Sequence, residues 1–243
     1  MRRGLAHDQL IAILHTRTKQ SFREDARMAG FVGAQHEFHD AEFVRGWASR
    51  FVPTEPRLQL FDMILAEVEN LGIPDAHVVE LGTGPGYMAR HILERNKSIS
   101  FEALDFSDVF MDVARETIGD LTDRVTFTNA DLMQQDWPKK LSRQPDAIIS
   151  TWALHDLGGQ QPVADVYARA YETLPAGGLL ANGDFIKPDG TDWEYEPGRF
   201  EIEQHMVFLR KAGFEDPKSL VHLEPNIMDP TAAQNYACLV AVK

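Results

Sequence analysis

Three alternating glycines, Gly82, Gly84 and Gly86, follow a short apolar run that ends in Glu80 and Leu81. Apolar residues at helical spacing then occupy one face of a segment over residues 87–95, which predicts a helix. Glycines at a strand-to-helix turn allow positive φ and the close approach of a ligand. The helix that follows offers unpaired N–H groups to an anionic group. The chain is therefore expected to fold as an α/β protein with a ligand-binding turn.

The spacing of these glycines disfavours a nicotinamide dinucleotide. The dinucleotide fingerprint GxGxxG places its third glycine one residue later, at a position that Tyr87 occupies here. A triplet of glycines is also compatible with a purely structural turn. The choice between a ligand site and a turn therefore depends on the strands that follow.

A second predicted strand, residues 100–106, carries Asp105 at its end, 19 residues after Gly86. In nucleotide-binding α/β folds an acid about 20 residues beyond the glycines reaches the ribose hydroxyls. A carboxylate suits that task because it can accept hydrogen bonds from two adjacent hydroxyls. The turn and the acid together favour the ligand-binding interpretation.

Five features in this order resemble the class I S-adenosylmethionine-dependent methyltransferases. They are the glycine turn, the strand ending in Asp105, a third strand (125–128) running into residues 129–132, a fourth strand (147–150) leading into residues 151–157, and the turn 174–180 before strand five. The resemblance covers residues 76–186 strongly and 200–243 more loosely. It implies S-adenosylmethionine as the methyl donor, with S-adenosylhomocysteine as its product.

The resemblance also implies which residues hold this cofactor. It places Asp105 against the ribose and an acid or amide of the segment after strand three against the adenine amino group. The complete implied set is Glu80, Gly82, Thr83, Gly84, Gly86, Asp105, Phe106, Asp131, Leu132, Thr151 and Trp152.

Strands and helices alternate from residue 76 onward, which predicts a parallel sheet with right-handed crossovers. Helices are predicted over residues 108–118 and 200–212. Two terminal strands, near 218–223 and 235–242, are predicted to close the sheet as an antiparallel hairpin. We therefore expect a Rossmann-like, seven-stranded, mostly parallel sheet with helices on both faces over residues 76–243. Residues 1–75 are expected to form a helical cap or lid, with helices beginning at Gln9, at Asp40 and near Thr54.

Methyl transfer from a sulfonium needs alignment of the nucleophile and exclusion of water more than covalent catalysis. A base is required only where the acceptor must lose a proton. The candidates are His155, Asp156, His205 and His39, of which His155 and His205 are the predicted catalytic residues. His155 follows strand four at the edge where ligands bind in open α/β sheets. A structural role remains open for both histidines: a backbone hydrogen bond for His155 and core packing for His205.

No metal site is expected. The single cysteine, Cys238, excludes an internal disulfide and a multi-cysteine metal cluster. His36 and His39 lack a third ligand. Catechol-type methyltransferases hold magnesium through acids at the ends of strands four and five, and here Ser150 replaces the first of them.

Charge and composition limit the acceptor. A formal net charge of −13 argues against nucleic acid, because phosphate binding relies on clustered Lys and Arg. The base-modifying relatives carry Asn/Asp-Pro-Pro-Tyr after strand four, where this chain has residues 150–153 as Ser-Thr-Trp-Ala. Both observations favour a small-molecule acceptor methylated on O or N. No apolar stretch is long enough to span a membrane, so we expect no membrane contact and a cytoplasmic location.

Three other interpretations of the function remain open. The chain could methylate protein or tRNA, which its charge disfavours. It could bind S-adenosylmethionine as a subunit without turnover, and a nicotinamide oxidoreductase is the remaining alternative. The N-terminal segment is also a candidate for a homodimer contact.

Overall fold

The computed structural model describes residues 36–191, 195–223 and 235–243. Over these residues the chain forms one seven-stranded sheet, in the spatial order β3-β2-β1-β4-β5-β7-β6. The strands are β1 (His77–Leu81), β2 (Ser100–Asp105), β3 (Val125–Asn129), β4 (Ala147–Thr151), β5 (Leu179–Phe185), β6 (Glu215–Leu223) and β7 (Tyr236–Val242). The predicted helix beginning at Gln9 lies outside the described residues.

The first five strands are parallel, and β7 pairs antiparallel with both β5 and β6. The strand order reverses between β1 and β4, since the chain runs outward from β1 to β3 and then returns to β4. In open α/β sheets the crevice outside the carboxyl ends of the strands at such a point is where ligands bind. The predicted Rossmann-like fold with a terminal antiparallel pair is confirmed.

Helices cover both faces of the sheet because successive strand residues point to opposite faces. Val78 and Ile149 pack with helices α2, α3 and α4, whereas Val79 and Ile148 pack with α5 and α6. Strands that are buried on both faces have mostly apolar sequences, as β1 and β4 do. The helices are α1 (Ala41–Arg50), α2 (Glu55–Asn70), α3 (Tyr87–Arg95), α4 (Asp108–Ile118), α5 (Gln160–Thr173) and α6 (Ile202–Ala212).

A short cap precedes the sheet domain in the described part of the chain. It consists of the 3₁₀ helix Glu37–His39 together with α1. Val44 and Ala48 of α1 form a small apolar cluster with Phe110 and Val113 of α4. No helix among the described residues is long and apolar enough to cross a membrane.

The starts of the last helix and of β6 differ from the sequence-based expectation. The last helix begins at Ile202 rather than Phe200, because the carbonyl of Phe200 accepts the N–H of Lys187 and its ring stacks on His205. β6 begins at Glu215 and so includes Pro217, with a register shift before Lys218. This strand lies at the edge of the sheet, where a missing N–H is tolerated.

Leu60 of α2 packs directly on Gly183 of β5. A Cβ on Gly183 would lie 2.3 Å from Cδ2 of Leu60, so the glycine makes room for this fully buried side chain. Leu60→Ala should lower the free energy of unfolding by about 2–5 kcal/mol, measured by denaturant titration. Ile73→Ala removes a side chain that is 42% exposed and serves as the control. Equal losses in the two variants would contradict the packing argument.

Candidate functional site

A cavity of about 930 Å³, including its mouth, opens at the carboxyl ends of β1, β2 and β4. One wall is built from the glycine turn and the acids that follow the strands. The other is aromatic and comes largely from the cap and the start of α2, with Phe38, Trp47, Phe51 and Phe61. The cavity therefore offers two chemically different halves.

The glycine turn adopts the backbone conformation that the sequence predicts. Gly82, Gly84 and Gly86 have φ values of +68°, +49° and +79°. The N–H groups of Gly82 and Thr83 donate to the carbonyl of Leu104, which ties the turn to β2. A Cβ on Gly82 would approach Ala153, and one on Gly86 would approach Ala114, so these two glycines allow close packing. A Cβ on Gly84 would meet no protein atom within 4 Å, so its open side faces space that a ligand can fill.

Asp105 joins the turn to the start of α4. Its Oδ2 accepts the N–H of Gly84 at 2.9 Å, and its Oδ1 accepts the N–H of Ser107 at 2.9 Å. Only 4% of the residue is exposed, and this burial raises the pKa of Asp105 to about 6 despite the backbone donors. Asp105 lines the cavity. Its assignment to the ribose stays a prediction.

Glu80 lies at the base of the same wall. The hydroxyl of Thr83 donates to its Oε2 at 2.7 Å. Burial raises the pKa of Glu80 to about 8, and the charge of Asp105 adds to the shift. Near neutral pH the side chain is therefore largely protonated and acts as a hydrogen-bonding group.

The segment after β3 forms the third part of this wall. Asp131 and Leu132 line the cavity beside Phe106, and the N–H of Met133 donates to Oδ1 of Asp131 at 2.8 Å. Thr151 and Trp152, which follow β4, line it from the other side. Of the predicted cofactor residues only Gly86 lies away from the cavity, where it caps α3.

Sequence reasoning missed Arg57. This residue is only 8% exposed, and its guanidinium carbon lies 4.7 Å from the ring centroid of Trp152. It is the one cation among the described residues that line the cavity, which otherwise carries Glu80, Asp105, Asp131 and Asp156. Its position on α2 gave no signal in the sequence, because arginines on helices usually face solvent.

Tyr87 has a defined role at the position that excludes the dinucleotide fingerprint. Its hydroxyl donates to the carbonyl of Ala48 at 2.9 Å. The residue opens α3 and lines the cavity, while Ala48 belongs to α1. The tyrosine therefore attaches the cap to the helix that follows the glycine turn.

His155 lies beside the cavity rather than in its wall. Its Nδ1 donates to Oδ1 of Asp184 at 2.7 Å, and its Nε2 lies 3.3 Å from Oδ1 of Asp156. Burial alone would lower the pKa of His155, but the charges of Asp156 and Asp184 outweigh it and raise the pKa to about 9. At neutral pH the ring is a cation without a lone pair to accept a proton. Asp156 lines the cavity instead.

His205 is an interior residue. It is 1% exposed and stacks on Phe200 with ring centroids 3.8 Å apart. Its Nδ1 accepts the hydroxyl of Tyr167 at 2.8 Å, and Tyr167 accepts the amide of Asn182 at 3.0 Å. Burial lowers the pKa of His205 to about 4. The structure does not bring this predicted catalytic residue to the cavity, because its ring completes the packing between α5 and α6.

Among the residues that the structure describes, no group of three or more His, Cys, Asp or Glu side chains could hold a metal ion. His36 and His39 flank the short 3₁₀ turn of the cap. The Nδ1 of His36 accepts the N–H of Phe38, and the ring of His39 lies edge-on to Phe106.

Gly84→Val should abolish binding of S-adenosylhomocysteine, because the new side chain would fill the open side of the turn. The positive φ of Gly84 adds about 1–2 kcal/mol of strain. Gly177→Val is the matched control, since Gly177 also has positive φ and open surroundings but lies in the turn before β5. Calorimetric titration should show binding in the control alone. Normal binding by Gly84→Val would make the turn purely structural.

His155 should make stability depend on pH. Its folded pKa, about 9, lies above the unfolded value of 6.5. The stabilisation is therefore complete below pH 6.5 and is lost as pH rises through 9, a change on the order of 3 kcal/mol. His155→Gln should remove this dependence, as measured by denaturant unfolding at pH 6 and pH 9.5. A constant difference between parent and variant at the two pH values would contradict the charged-histidine assignment.

Comparison with known proteins agrees with this geometry. Residues 79–180 match the family model for a methyltransferase domain. Over 151 residues the chain is 26% identical to the highly reducing polyketide synthase pkhB of Emericella nidulans, a match that covers 60% of this chain and 5% of that protein. The chain thus spans a small part of this curated relative.

Solved structures share the fold at low sequence identity. A putative O-methyltransferase from Nostoc punctiforme has a TM-score of 0.65 and 15% identity, covering 90% of this chain and 68% of its own. Human N-acetylserotonin methyltransferase in complex with S-adenosylmethionine has a TM-score of 0.62 and 16% identity, covering 90% and 65%. Residues 79–180 thus match a methyltransferase domain, and the solved structures share its fold.

Proposed function

We propose that this methyltransferase transfers the methyl group of S-adenosylmethionine to a hydroxyl oxygen of a small, largely apolar acceptor. The observation that carries the proposal is the lining of the cavity, which combines a glycine turn and acids with aromatic rings. Asp156 lines that cavity and can accept the proton that a hydroxyl acceptor must lose.

The donor set fits S-adenosylmethionine, which would supply an electrophilic methyl group when bound. Glu80, Asp105 and Asp131 provide acceptors for its amino and hydroxyl groups. Arg57 provides a cation for its carboxylate. The open side of Gly84 leaves room for close approach. These assignments extend the residue set that the sequence implies by one residue, Arg57.

Asp156 is the group that we assign as the base. Its side chain is 42% exposed, and removal from bulk water raises its pKa while the cationic ring of His155 opposes that rise. Asp184 holds the ring through Nδ1, and Nε2 lies 3.3 Å from Oδ1 of Asp156. His155 then acts as a positioning residue for Asp156 rather than as the base itself.

The aromatic wall favours a small apolar acceptor over a protein or tRNA. Phe38, Trp47 and Phe51 line the cavity together with the glycine turn. An apolar enclosure excludes water from the reacting groups and suits a small ligand. The O-methyltransferases among the structural neighbours support oxygen as the accepting atom. A homodimer contact and a cytoplasmic location stay predictions.

Asp156→Asn should lower turnover by about 10²–10⁴-fold, because the amide cannot accept the acceptor's proton. The assay follows transfer of labelled methyl from S-adenosylmethionine to a panel of phenols and hydroxylated aromatic acids. In the parent the rate should rise with pH through the pKa of Asp156, which lies above 3.8, and this limb should vanish in the variant. The affinity for S-adenosylhomocysteine should be unchanged.

Asp165→Asn is the control, since Asp165 accepts a hydrogen bond from Gln161 on the exposed face of α5. Full activity of the Asp156→Asn variant would show that Asp156 is not a required base and that alignment of the acceptor with the methyl group is sufficient for catalysis. Cofactor binding without any labelled product from the parent would favour the non-catalytic alternative.

A further inference from the structure

Arg199 is a buried cation outside the cavity wall. Its side chain is 9% exposed. The guanidinium carbon lies 4.7 Å from the ring centroid of Phe185 and 5.0 Å from that of Tyr195. Its Nη1 donates to Oε2 of Glu196 at 3.2 Å. Two aromatic rings therefore lie close to this guanidinium, and one of its nitrogens pairs with Glu196.

One edge of this guanidinium has no partner. Nε and Nη2 of Arg199 are buried, and no acceptor in the described part of the chain meets them. The buried hydroxyl of Tyr195 also has no hydrogen-bond partner in the described part of the chain. Buried donors without acceptors are costly and uncommon in folded proteins. The arrangement therefore points to a ligand that supplies acceptors.

The unpartnered edge has the geometry of a carboxylate site. Nε–H and the adjacent Nη2–H are parallel donors, which match the two oxygens of a carboxylate. Glu196 already occupies Nη1, and Asp156 and Asp184 lie around the neighbouring His155. This surrounding negative charge favours a monoanion over a phosphate dianion.

The side chain of Arg199 lies close to the cavity. Phe185, on which Arg199 stacks, ends β5 and lies 6.5 Å, centroid to centroid, from Trp152 in the cavity wall. A Cβ on Gly198 would overlap the carbonyl of His155, so the segment carrying Arg199 packs directly on the loop that carries Asp156. The ring of Phe185 thus lies between the guanidinium of Arg199 and Trp152 in the wall of the cavity.

We propose that Arg199 and Tyr195 form a subsite for a carboxylate of the methyl acceptor, so that the acceptor is an acid with an apolar body. The carboxylate accepts Nε–H and Nη2–H of Arg199 and the hydroxyl hydrogen of Tyr195. The assignment of this acid as the acceptor rests on the proposed function. The existence of the carboxylate subsite rests on the unpartnered donors alone.

The test measures binding to the full chain saturated with S-adenosylhomocysteine. The probes are benzoate, phenylacetate and 3-phenylpropionate, each paired with its primary amide, together with inorganic phosphate. At least one acid should bind better than its amide. Arg199→Gln should weaken that binding roughly ten- to hundredfold, since it removes the charge and the parallel donors. Tyr195→Phe, which keeps the ring, should weaken it less.

Arg210→Gln is the matched control, because Arg210 is 54% exposed and pairs with Glu203 on the surface. Circular dichroism and the affinity for S-adenosylhomocysteine show whether each variant is folded. Equal binding of acids and amides, no acid binding, tighter binding of phosphate, or acid binding unchanged in both Arg199→Gln and Tyr195→Phe would overturn the subsite. Loss of acid binding in these variants without methyl transfer in the parent would retain the subsite and reject the proposed function.

Discussion

The carboxylate of Asp105 is the contact on which the geometry of the candidate site depends. It stands at the end of β2 and binds two backbone N–H groups from different loops, that of Gly84 in the glycine turn and that of Ser107 before α4. Neither loop has a regular hydrogen-bond ladder of its own at this point. A buried acceptor with two oxygens satisfies both donors, so the two loops are fixed relative to one another before any ligand binds.

The cap is fixed to the same framework. Tyr87 binds the carbonyl of Ala48, Ser107 Oγ donates to the carbonyl of Phe38, and Arg45 forms two hydrogen bonds with Glu116 of α4. The first two contacts start from residues beside the glycine turn and Asp105. The aromatic wall that the cap supplies is therefore positioned by the same loops that form the polar wall. In the proposed reaction, this coupling would hold the acceptor and the donor in the fixed arrangement that in-line transfer requires.

Local sequence patterns were sufficient for most of the fold. The periodicity over residues 87–95 and 108–118 predicted α3 and α4 to the residue, because both are amphipathic helices on a buried sheet. The polar wall was also predictable, since it depends on residues that directly follow strands. The start of α6 was not, because it depends on Phe200 pairing with the distant Lys187.

Side chains placed by long-range contacts were beyond the reach of those patterns. Nothing near His155 in the sequence shows that its Nδ1 donates a hydrogen bond to Asp184, 29 residues later. Nor does it show that the neighbouring Asp156 lines the cavity. Arg57 and Arg199 are similar cases, since aromatic rings from distant segments bury them. A buried cation of this kind becomes visible only when the rings that enclose it have been placed in space.

The acids of the polar wall also determine how the cavity responds to charge. Burial raises the pKa of Glu80 to about 8 and that of Asp105 to about 6. A bound cation would favour loss of the proton from each carboxyl group. The donor carries a sulfonium in addition to the ammonium group that its thioether product also has, so the donor favours the ionised acids more strongly than the product does. By linkage, the preference of the cavity for the proposed donor over its product grows as pH rises through these two values. The burial of these two acids would therefore contribute to discrimination between the methyl donor and its product.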